Sequence, residues 1–214
     1  MSREDWYRRS TWTDRDREEF NDRLRRSRGA GNKAQYLRIQ AGYLAEAGLP
    51  AEAIELLDRM FSEFPERIQL GEAHLQKAEC LGKLGQIAQA IQEFRSALQA
   101  QRDIPNVQSK AWVIFPWFVV EYQLTELYDE ATAVLEEFRD DSWPAFPDIR
   151  YRYCVVHSLV AEAYGDLPTA REYAIQALAE AAKDNSGLRY HPTIGLVGSL
   201  GNRFEKKLRS LAGG

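Results

Sequence analysis

The sequence predicts an all-α fold in which about four helical hairpins follow one another as a repeat. An alanine recurs at Ala53, Ala90, Ala131 and Ala170, with spacings of 37, 41 and 39 residues. In three of the four segments a glycine stands five residues before that alanine. Few residues favour strands, and the prolines fall at predicted helix boundaries or in first turns, where proline is tolerated. These spacings are typical of helix pairs joined by tight turns.

The repeat has a simple physical basis. Glycine allows the tight bend between two antiparallel helices, and a small alanine lets the second helix approach the first closely. Residues four and seven positions after the alanine share its helical face and fill the groove, as with Phe94 and Ala97 after Ala90. The predicted helices span residues 14–28, 33–47, 51–64, 68–84, 87–101, 107–125, 128–140, 147–164 and 168–183, with a tail helix over 202–211.

The first predicted helix has strong end signals. Thr13 can cap its start, acidic residues fill its first turns, and arginines crowd its last turn, which complements the helix dipole. We expect Gly29 to end it and Phe20 and Leu24 to dock on the first hairpin. Residues 1–32 are therefore predicted to be a basic arm with a capping helix, and residues 184–214 a C-terminal cap.

The third hairpin begins with an aromatic-rich helix. It contains Trp112, Phe115, Trp117, Phe118 and Tyr122, with Pro116 in its interior, which predicts a kink. A helix that is apolar on nearly every side is buried on nearly every side, so it is predicted to be a core helix. An aromatic-lined groove for a peptide or small molecule is the alternative.

The four hairpins resemble the tetratricopeptide repeat family over roughly residues 33–183. The resemblance departs from that family in a longer period and in Glu126, which stands where the third turn glycine is expected. It implies a right-handed superhelical α-solenoid that binds a protein or peptide in its concave groove, without chemistry of its own. The segments around Trp6–Arg8, Gln35–Arg38 and Arg189–His191 are also similar to uncharacterised bacterial repeat proteins, which implies no particular activity. The matching residues are the Gly48/Ala53/Pro65, Gly85/Ala90/Phe94/Ala97, Tyr128/Ala131 and Gly165/Ala170/Ala177 sets.

The resemblance also implies which residues face a partner, because the first helix of each pair lines the concave groove. A clamp for a peptide's terminal carboxylate is disfavoured, since only Arg38 and Arg152 are near suitable positions and they lie on distant hairpins. A peptide of mixed charge fits better. The predicted groove residues are Gln35, Arg38, Glu79, Trp112, Gln123, Arg152 and Glu162, with Arg189, Tyr190 and His191 from the tail.

The tail is the least repeat-like stretch. Its four glycines do not form a phosphate-binding loop, because the required spacings are absent and no strand precedes them. We interpret residues 184–214 as a cap that closes the last hairpin. The alternative is a small-molecule or peptide sensor, in which Arg189, Tyr190 and His191 build a closed pocket with the aromatic third hairpin.

Composition excludes several classes of protein. The 214 residues are 44% hydrophobic and 28% charged, and the longest apolar run, Ala111–Val120, is too short to cross a membrane. Two cysteines suit the reducing cytoplasm, and three histidines leave too few ligands for a metal site. Neither a cofactor nor a metal is expected. We therefore expect a soluble cytoplasmic protein that is not an enzyme.

Charge is unevenly distributed. Residues 1–38 hold eleven basic and seven acidic residues, a balance of +4 against a net charge of −4 for the chain. This arm can dock on the acidic body, on a like molecule or on an acidic partner. Arg8 and Arg9 beside Trp6, Tyr7 and Trp12 offer single-stranded nucleic acid as a further partner, which the acidic chain disfavours. A homodimer is left open.

One pair of residues has a spacing that places a thiol and an imidazole on the same side of a helix. Cys154 and His157 are spaced i to i+3, so a thiol–imidazole pair is conceivable. However, Cys154 stands where the repeats pack large apolar groups, and His157 fits a core or groove histidine. Glu136, Glu137, Asp140 and Asp141 are interpreted as solvated charges at a helix end rather than as the paired acids of a hydrolase.

Overall fold

A computed structural model describes residues 5–139 and 146–213, and every regular element in these ranges is helical. The all-α prediction is therefore confirmed for them, whereas Asp140 and Asp141 lie outside the described residues. The chain divides into two compact units, Met1–Ala111 and Trp112–Gly214. Unit 1 contains α1 (Asp14–Arg26), α2 (Ala30–Glu46), α3 (Pro50–Glu63), α4 (Arg67–Lys83) and α5 (Ile87–Asp103). The later helices are α6 (Ala111–Glu121), α7 (Tyr128–Glu137), α8 (Pro147–Ala163), α9 (Leu167–Ala181) and α10 (Glu205–Ala212).

All four hairpins use the same turn. A backbone N–H donates to the carbonyl five residues earlier, and a residue in the left-handed conformation precedes the donor, which is the Schellman arrangement. Glycine takes that conformation in three turns, at Gly48, Gly85 and Gly165, with φ of 82°, 74° and 80°. The N–H groups of Leu49, Gln86, Leu124 and Asp166 donate to Leu44, Leu81, Val119 and Ala161 at 2.9 Å in each case.

The third turn corrects the expectation for Glu126. Its left-handed residue is Gln123, with φ of 54°, three positions before the place where the repeat spacing puts a glycine. Residues Thr125–Leu127 then form a 3-10 turn before α7 begins. These extra residues account for the longer spacing between Ala90 and Ala131. Gln123 therefore lies in the turn and not on α6, where the predicted helix 107–125 placed it.

The recurring alanines lie where the paired helices meet. Ala53, Ala90, Ala131 and Ala170 are each 0% exposed. The helices of the first, second and fourth hairpins pack along their lengths, as α2 with α3, α4 with α5, and α8 with α9. The predicted role of the alanines in close helix approach agrees with this burial.

The N-terminal helix packs on the first hairpin. Phe20 and Leu24 are buried in one cluster with Leu37, Leu44 and Leu57, as expected. Thr13 forms a reciprocal capping box with Asp16, so α1 begins where its sequence indicates. Gly29 was expected to end α1, but α1 ends at Arg26, and Gly29 precedes the first residue of α2 with φ of 81°.

The aromatic helix α6 is a core helix, as predicted. Phe115 and the residues from Trp117 to Val120 are buried, while Trp112 is half-buried. The helix starts at Ala111 and not at residue 107, and the Ser109 hydroxyl just before it accepts the Ala111 N–H at 3.3 Å. The backbone N–H and the hydroxyl of Ser109 both donate to Gln101 Oε1, which holds Ser109 in place.

The tail packs on the last hairpin of unit 2. Leu208 and Val197 are buried in one cluster with Tyr151, Val155 and residues of α9. The Gly195 carbonyl accepts the Asp148 N–H at 2.9 Å, and a side chain at Gly195 would meet the Phe146 ring at 2.6 Å. The tail thus packs on the last hairpin, and its role as a cap stays a prediction.

Polar side chains join adjacent hairpins at one repeated position, thirteen residues before the recurring alanine. At this position in the second hairpin, Lys77 Nζ lies 2.6 Å from Asp58 of the preceding helix and 2.8 Å from Glu93. In the fourth hairpin His157 takes this position, with Nε2 at 3.4 Å from Glu136 of α7. Asp58 and Glu136 themselves stand five residues after their own alanines, so the two contacts are equivalent.

The protonation of these two groups differs. Burial alone would lower the pKa of Lys77, but its hydrogen bonds with Asp58 and Glu93 raise that pKa. For His157, burial between Tyr153 and Tyr173 lowers the pKa, and nearby Glu136 opposes this only in part. Lys77 is therefore a permanent cation, while His157 is neutral at neutral pH.

We predict that Gln123→Gly stabilises the chain. A non-glycine residue in the left-handed region is strained, so relief of that strain is expected to raise the free energy of unfolding by about 0.5–1 kcal/mol. Gly85→Ala, at a turn with no side-chain neighbour within 4 Å, should lower it by about 1 kcal/mol. Urea unfolding followed by circular dichroism measures both changes. A loss of stability in Gln123→Gly would contradict the assigned turn.

We also predict that acid weakens unit 2 through His157. Because its folded pKa lies below the unfolded value of 6.5, the unfolded chain binds more protons, and stability is lost as pH falls through that value. His157→Gln should therefore show a shallower loss of stability between about pH 7.5 and about pH 5.5. Urea unfolding at each pH is the measurement, with exposed His191→Gln as the control. Equal slopes in His157→Gln and the wild type would refute the assignment.

Candidate functional site

The predicted groove residues of unit 1 lie on one side of its first helices. On α2, Gln35 and Arg38 are followed by Gly42 and Ala45 at helical spacing, and on α4 Gln76, Glu79 and Lys83 share a side in the same way. We call this surface, made of Gln35, Arg38, Gly42, Ala45, Gln69, Gln76, Glu79 and Lys83, the first-helix face.

Contacts between the two helices run along the first-helix face. The Arg38 guanidinium donates through Nε to Gln69 Oε1 at 2.6 Å near one end. Lys83 Nζ donates to the Ala45 carbonyl at 3.2 Å near the other end. Between them the Gln76 amide lies opposite Gly42. These contacts fix α2 beside α4, so side chains of both helices are presented together.

The first-helix face is polar and of mixed charge. Gln35 and Glu79 are exposed, and Arg38 is half-buried with its position set by Gln69. The small residues Gly42 and Ala45 lie between these longer side chains. Such a surface offers amide groups for a peptide backbone and both signs of charge for its side chains.

The predicted groove residues of unit 2 are held by contacts within that unit. The Arg152 guanidinium lies over the ring of Trp117, 4.7 Å from its centroid. Glu162 pairs with Lys207 of α10, and half-buried Trp112 is part of α6. Gln123 lies in the third turn. The structure thus separates Gln123 from the helix side on which the sequence placed it.

The tail residues do not form the closed pocket of the sensor alternative. Arg189, Tyr190 and His191 are all exposed, Tyr190 to 77%. Their loop closes on itself, because the Ser186 N–H donates to the Pro192 carbonyl at 2.8 Å. A cavity of about 320 Å³ in unit 2 lies further along the tail, and its lining includes Tyr151, Leu178, Gly201 and Arg209. The sequence could not show this, because a loop's exposure depends on how the whole tail packs.

The thiol–imidazole pair is not activated. Burial raises the pKa of the Cys154 thiol to about 12, and the thiol donates weakly to Gln176 Oε1 at 3.8 Å. Burial likewise raises the pKa of Cys80 to about 11. A thiol with so high a pKa stays protonated and is a poor nucleophile at neutral pH. Glu136, interpreted as a solvated charge, accepts the Tyr153 hydroxyl at 2.6 Å.

The aromatic residues of the N-terminal arm pack inward. Trp6 contacts Tyr36 and Phe20 with ring centroids 4.9 and 5.4 Å apart, and Trp12 contacts Phe20 at 5.4 Å. Tyr7 is 8% exposed. The rings that the nucleic-acid alternative needs for base stacking are thus occupied within unit 1. The arm docks on the acidic body, which was one of its three expected destinations.

Sequence reasoning missed Gln40. Its side chain is 0% exposed and forms hydrogen bonds with the backbone of Arg9. Gln40 stands thirteen residues before Ala53, at the position that Lys77 and His157 occupy in later hairpins. A polar residue at this place in an apolar stripe was the available signal.

A membrane-spanning helix and a metal site can be judged only for the part of the chain that the structure describes. No helix there is long and apolar enough to cross a membrane. No group of three or more histidine, cysteine, aspartate or glutamate residues within the same ranges is placed to hold a metal ion.

Comparison with known proteins identifies the repeat. Residues 44–111, from the last turns of α2 to the start of α6, match the family model described as tetratricopeptide repeat. No curated protein and no solved structure matches the chain. The narrower likeness to bacterial repeat proteins stays a prediction. The resemblance seen in the Gly48/Ala53 and Gly85/Ala90 sets is confirmed, and the part of the chain that matches tetratricopeptide repeats, residues 44–111, lies in unit 1.

Proposed function

We propose that this chain is a scaffold that binds a partner protein or peptide along the first-helix face of unit 1. Tetratricopeptide repeats generally mediate protein–protein interactions, and the family match covers α4 and the end of α2. The observation that carries the proposal is the pairing of α2 with α4 through Arg38 and Gln69, which presents exposed Gln35 and Glu79 on one rigid surface.

The chemistry of the first-helix face favours an extended peptide with charges of both signs. Gln35 and Gln69 can pair with backbone amide groups, and Arg38 with an acidic side chain. Glu79 suits a basic side chain further along the peptide. Gly42 and Ala45 leave room for a backbone to approach α2. The proposal assigns no reaction to the chain, and the raised thiol pKa values of Cys80 and Cys154 support that.

The proposal places this binding in the cytoplasm. Both cysteines are buried and unpaired, and free thiols are typical of a reducing compartment.

Peptide selection on the full chain tests the proposal. We expect peptides chosen from a displayed library of random 12-residue sequences to lose at least about tenfold in affinity on Arg38→Glu, because reversing a charge in a hydrogen-bonded pair costs more than about 1.4 kcal/mol. Glu79→Lys should change which peptides are selected. Isothermal titration of the selected peptides measures each loss.

The second helices supply a matched control. Gln89 and Gln92 are exposed on α5, so Gln89→Glu and Gln92→Lys introduce the same new acidic and basic side chains away from the first-helix face. These variants should bind the selected peptides as the wild type does. Selected peptides that tolerate Arg38→Glu in a chain of unchanged helix content would overturn the proposal.

A further inference from the structure

The N-terminal residues Trp6–Thr13, here called the N-terminal segment, lie against α2 as a bound peptide would. They include the end of a short 3-10 helix, Asp5–Tyr7, that contacts α2. The contacts are with the side of α2 that carries Tyr36 and Gln40. Because two residues of an α-helix turn through about 200°, Gln40 lies on nearly the opposite side of α2 from Arg38 and the first-helix face.

The Gln40 side chain forms two hydrogen bonds with the backbone of the N-terminal segment, one as donor and one as acceptor. Its Nε2 donates to the Arg9 carbonyl at 2.7 Å, and its Oε1 accepts the Arg9 N–H at 3.0 Å. A side-chain amide has the donor and the acceptor that such two-way pairing requires. Since Gln40 is fully buried, removing the segment would leave both groups without these bonds.

Ring contacts and ion pairs also hold side chains of the segment. The Trp6 ring packs on Tyr36 and Phe20, and the Tyr7 ring lies 4.7 Å from that of Tyr36. The Arg9 guanidinium forms ion pairs with Asp16 and with Glu19 of α1.

Asp16 and Glu19, the two acids that pair with Arg9, are held in their ionised form. Although burial alone would raise the pKa of Asp16, hydrogen bonds from Thr13, Thr11 and Arg9 lower it to about 2. Hydrogen bonds from Arg9 and then Arg15 lower the pKa of Glu19. The side chains that these contacts recognise are thus two adjacent aromatic residues and an arginine two positions later.

The repeat explains why a peptide is bound here. In later hairpins, Lys77 and His157 at the equivalent position contact the second helix of the preceding hairpin. Along the described residues, the N-terminal segment and α1 precede the first hairpin. Gln40 therefore meets the irregular backbone of that segment at Arg9 and pairs with it directly.

The site persists without the segment, because α1 has its own anchors. Phe20 and Leu24 are 0% and 1% exposed, Arg17 pairs with Glu55 at 3.2 Å, and Arg59 donates to Asn21 at 2.6 Å. Asp16 and Glu19 consequently stay in place when residues 6–9 leave. Residues 6–9 are joined to α1 through residues 10–13, so they can open without unfolding α2.

We propose that Phe20, Tyr36 and Gln40, together with Asp16 and Glu19, form a second peptide site. Residues 6–9 occupy this site in cis. A partner segment with two adjacent aromatic residues and an arginine two positions later binds it in trans by displacing them. This site is independent of the first-helix face.

Binding of a labelled peptide to the full chain tests the proposal. The probe is a fluorescein-labelled synthetic peptide of residues 1–13, and fluorescence anisotropy reports its binding. Trp6→Ala with Arg9→Ala in the chain weakens the cis occupant, so this double variant should bind the wild-type probe at least tenfold more tightly than the wild-type chain does. Adding Gln40→Leu should abolish the gain.

Controls separate this gain from general loosening. Arg28→Ala removes an exposed arginine of the same arm and should leave probe binding unchanged. A probe that carries the Trp6→Ala and Arg9→Ala changes should not bind. A double variant with wild-type circular dichroism that binds the probe no better than the wild type would refute the site.

Hydrogen exchange on the wild-type chain decides the question even if a variant fails to fold. The Arg9 amide, which Gln40 holds, should exchange faster than the Leu44 amide in the core of α2 by at least tenfold. Exchange of Arg9 only together with Leu44 would show that the segment does not open by itself, and would overturn the proposal.

Discussion

The close approach of two helices at one small side chain is the contact on which the first, second and fourth hairpins depend. Ala53, Ala90, Ala131 and Ala170 are fully buried, and a larger side chain in a closely packed interior forces neighbouring groups to move. The common turn brings the second helix back along the first with its alanine inward. On α2, the side chains beside this buried stripe include half-buried Arg38, which pairs with Gln69 of α4. The proposed binding surface is thus a consequence of how the hairpin closes.

In three hairpins, a second repeated position contacts the part of the chain that precedes the hairpin. Thirteen residues before the recurring alanine stand Gln40, Lys77, Phe118 and His157 in the four hairpins. Lys77 supplies a permanent cation to the preceding helix, whereas His157 supplies a group that titrates. At Gln40 the partner is a backbone, so the same place in the repeat holds a peptide. The same position in the repeat thus holds a permanent cation at Lys77, a titrating group at His157 and the proposed peptide-binding residue at Gln40.

Local signals in the sequence predicted most of the helices, and contacts distant in the sequence account for the rest. Turn glycines and the alanine spacing placed the hairpins, and Thr13 placed the start of α1. The third turn was misplaced because Gln123 takes a glycine's conformation, which residue type does not indicate. Gln40 and Arg9 are 31 positions apart, and Gln40 bonds to the backbone of Arg9 and not to its side chain. The pairing therefore leaves no motif in the sequence. On the first-helix face, the sequence placed Gln35 and Arg38 on α2, but the bond from Arg38 to Gln69 required the structure.

The account depends most directly on the buried alanine of the second hairpin. Ala90→Leu and Ala88→Leu add the same atoms to α5, but Ala90 is fully buried and Ala88 is exposed. Overpacking at Ala90 should lower the free energy of unfolding by about 1–3 kcal/mol, and the change at Ala88 should stay within about 0.5 kcal/mol. Urea unfolding of both variants measures this difference. Equal stabilities of the two variants would contradict close helix approach at the alanine as the basis of the hairpin.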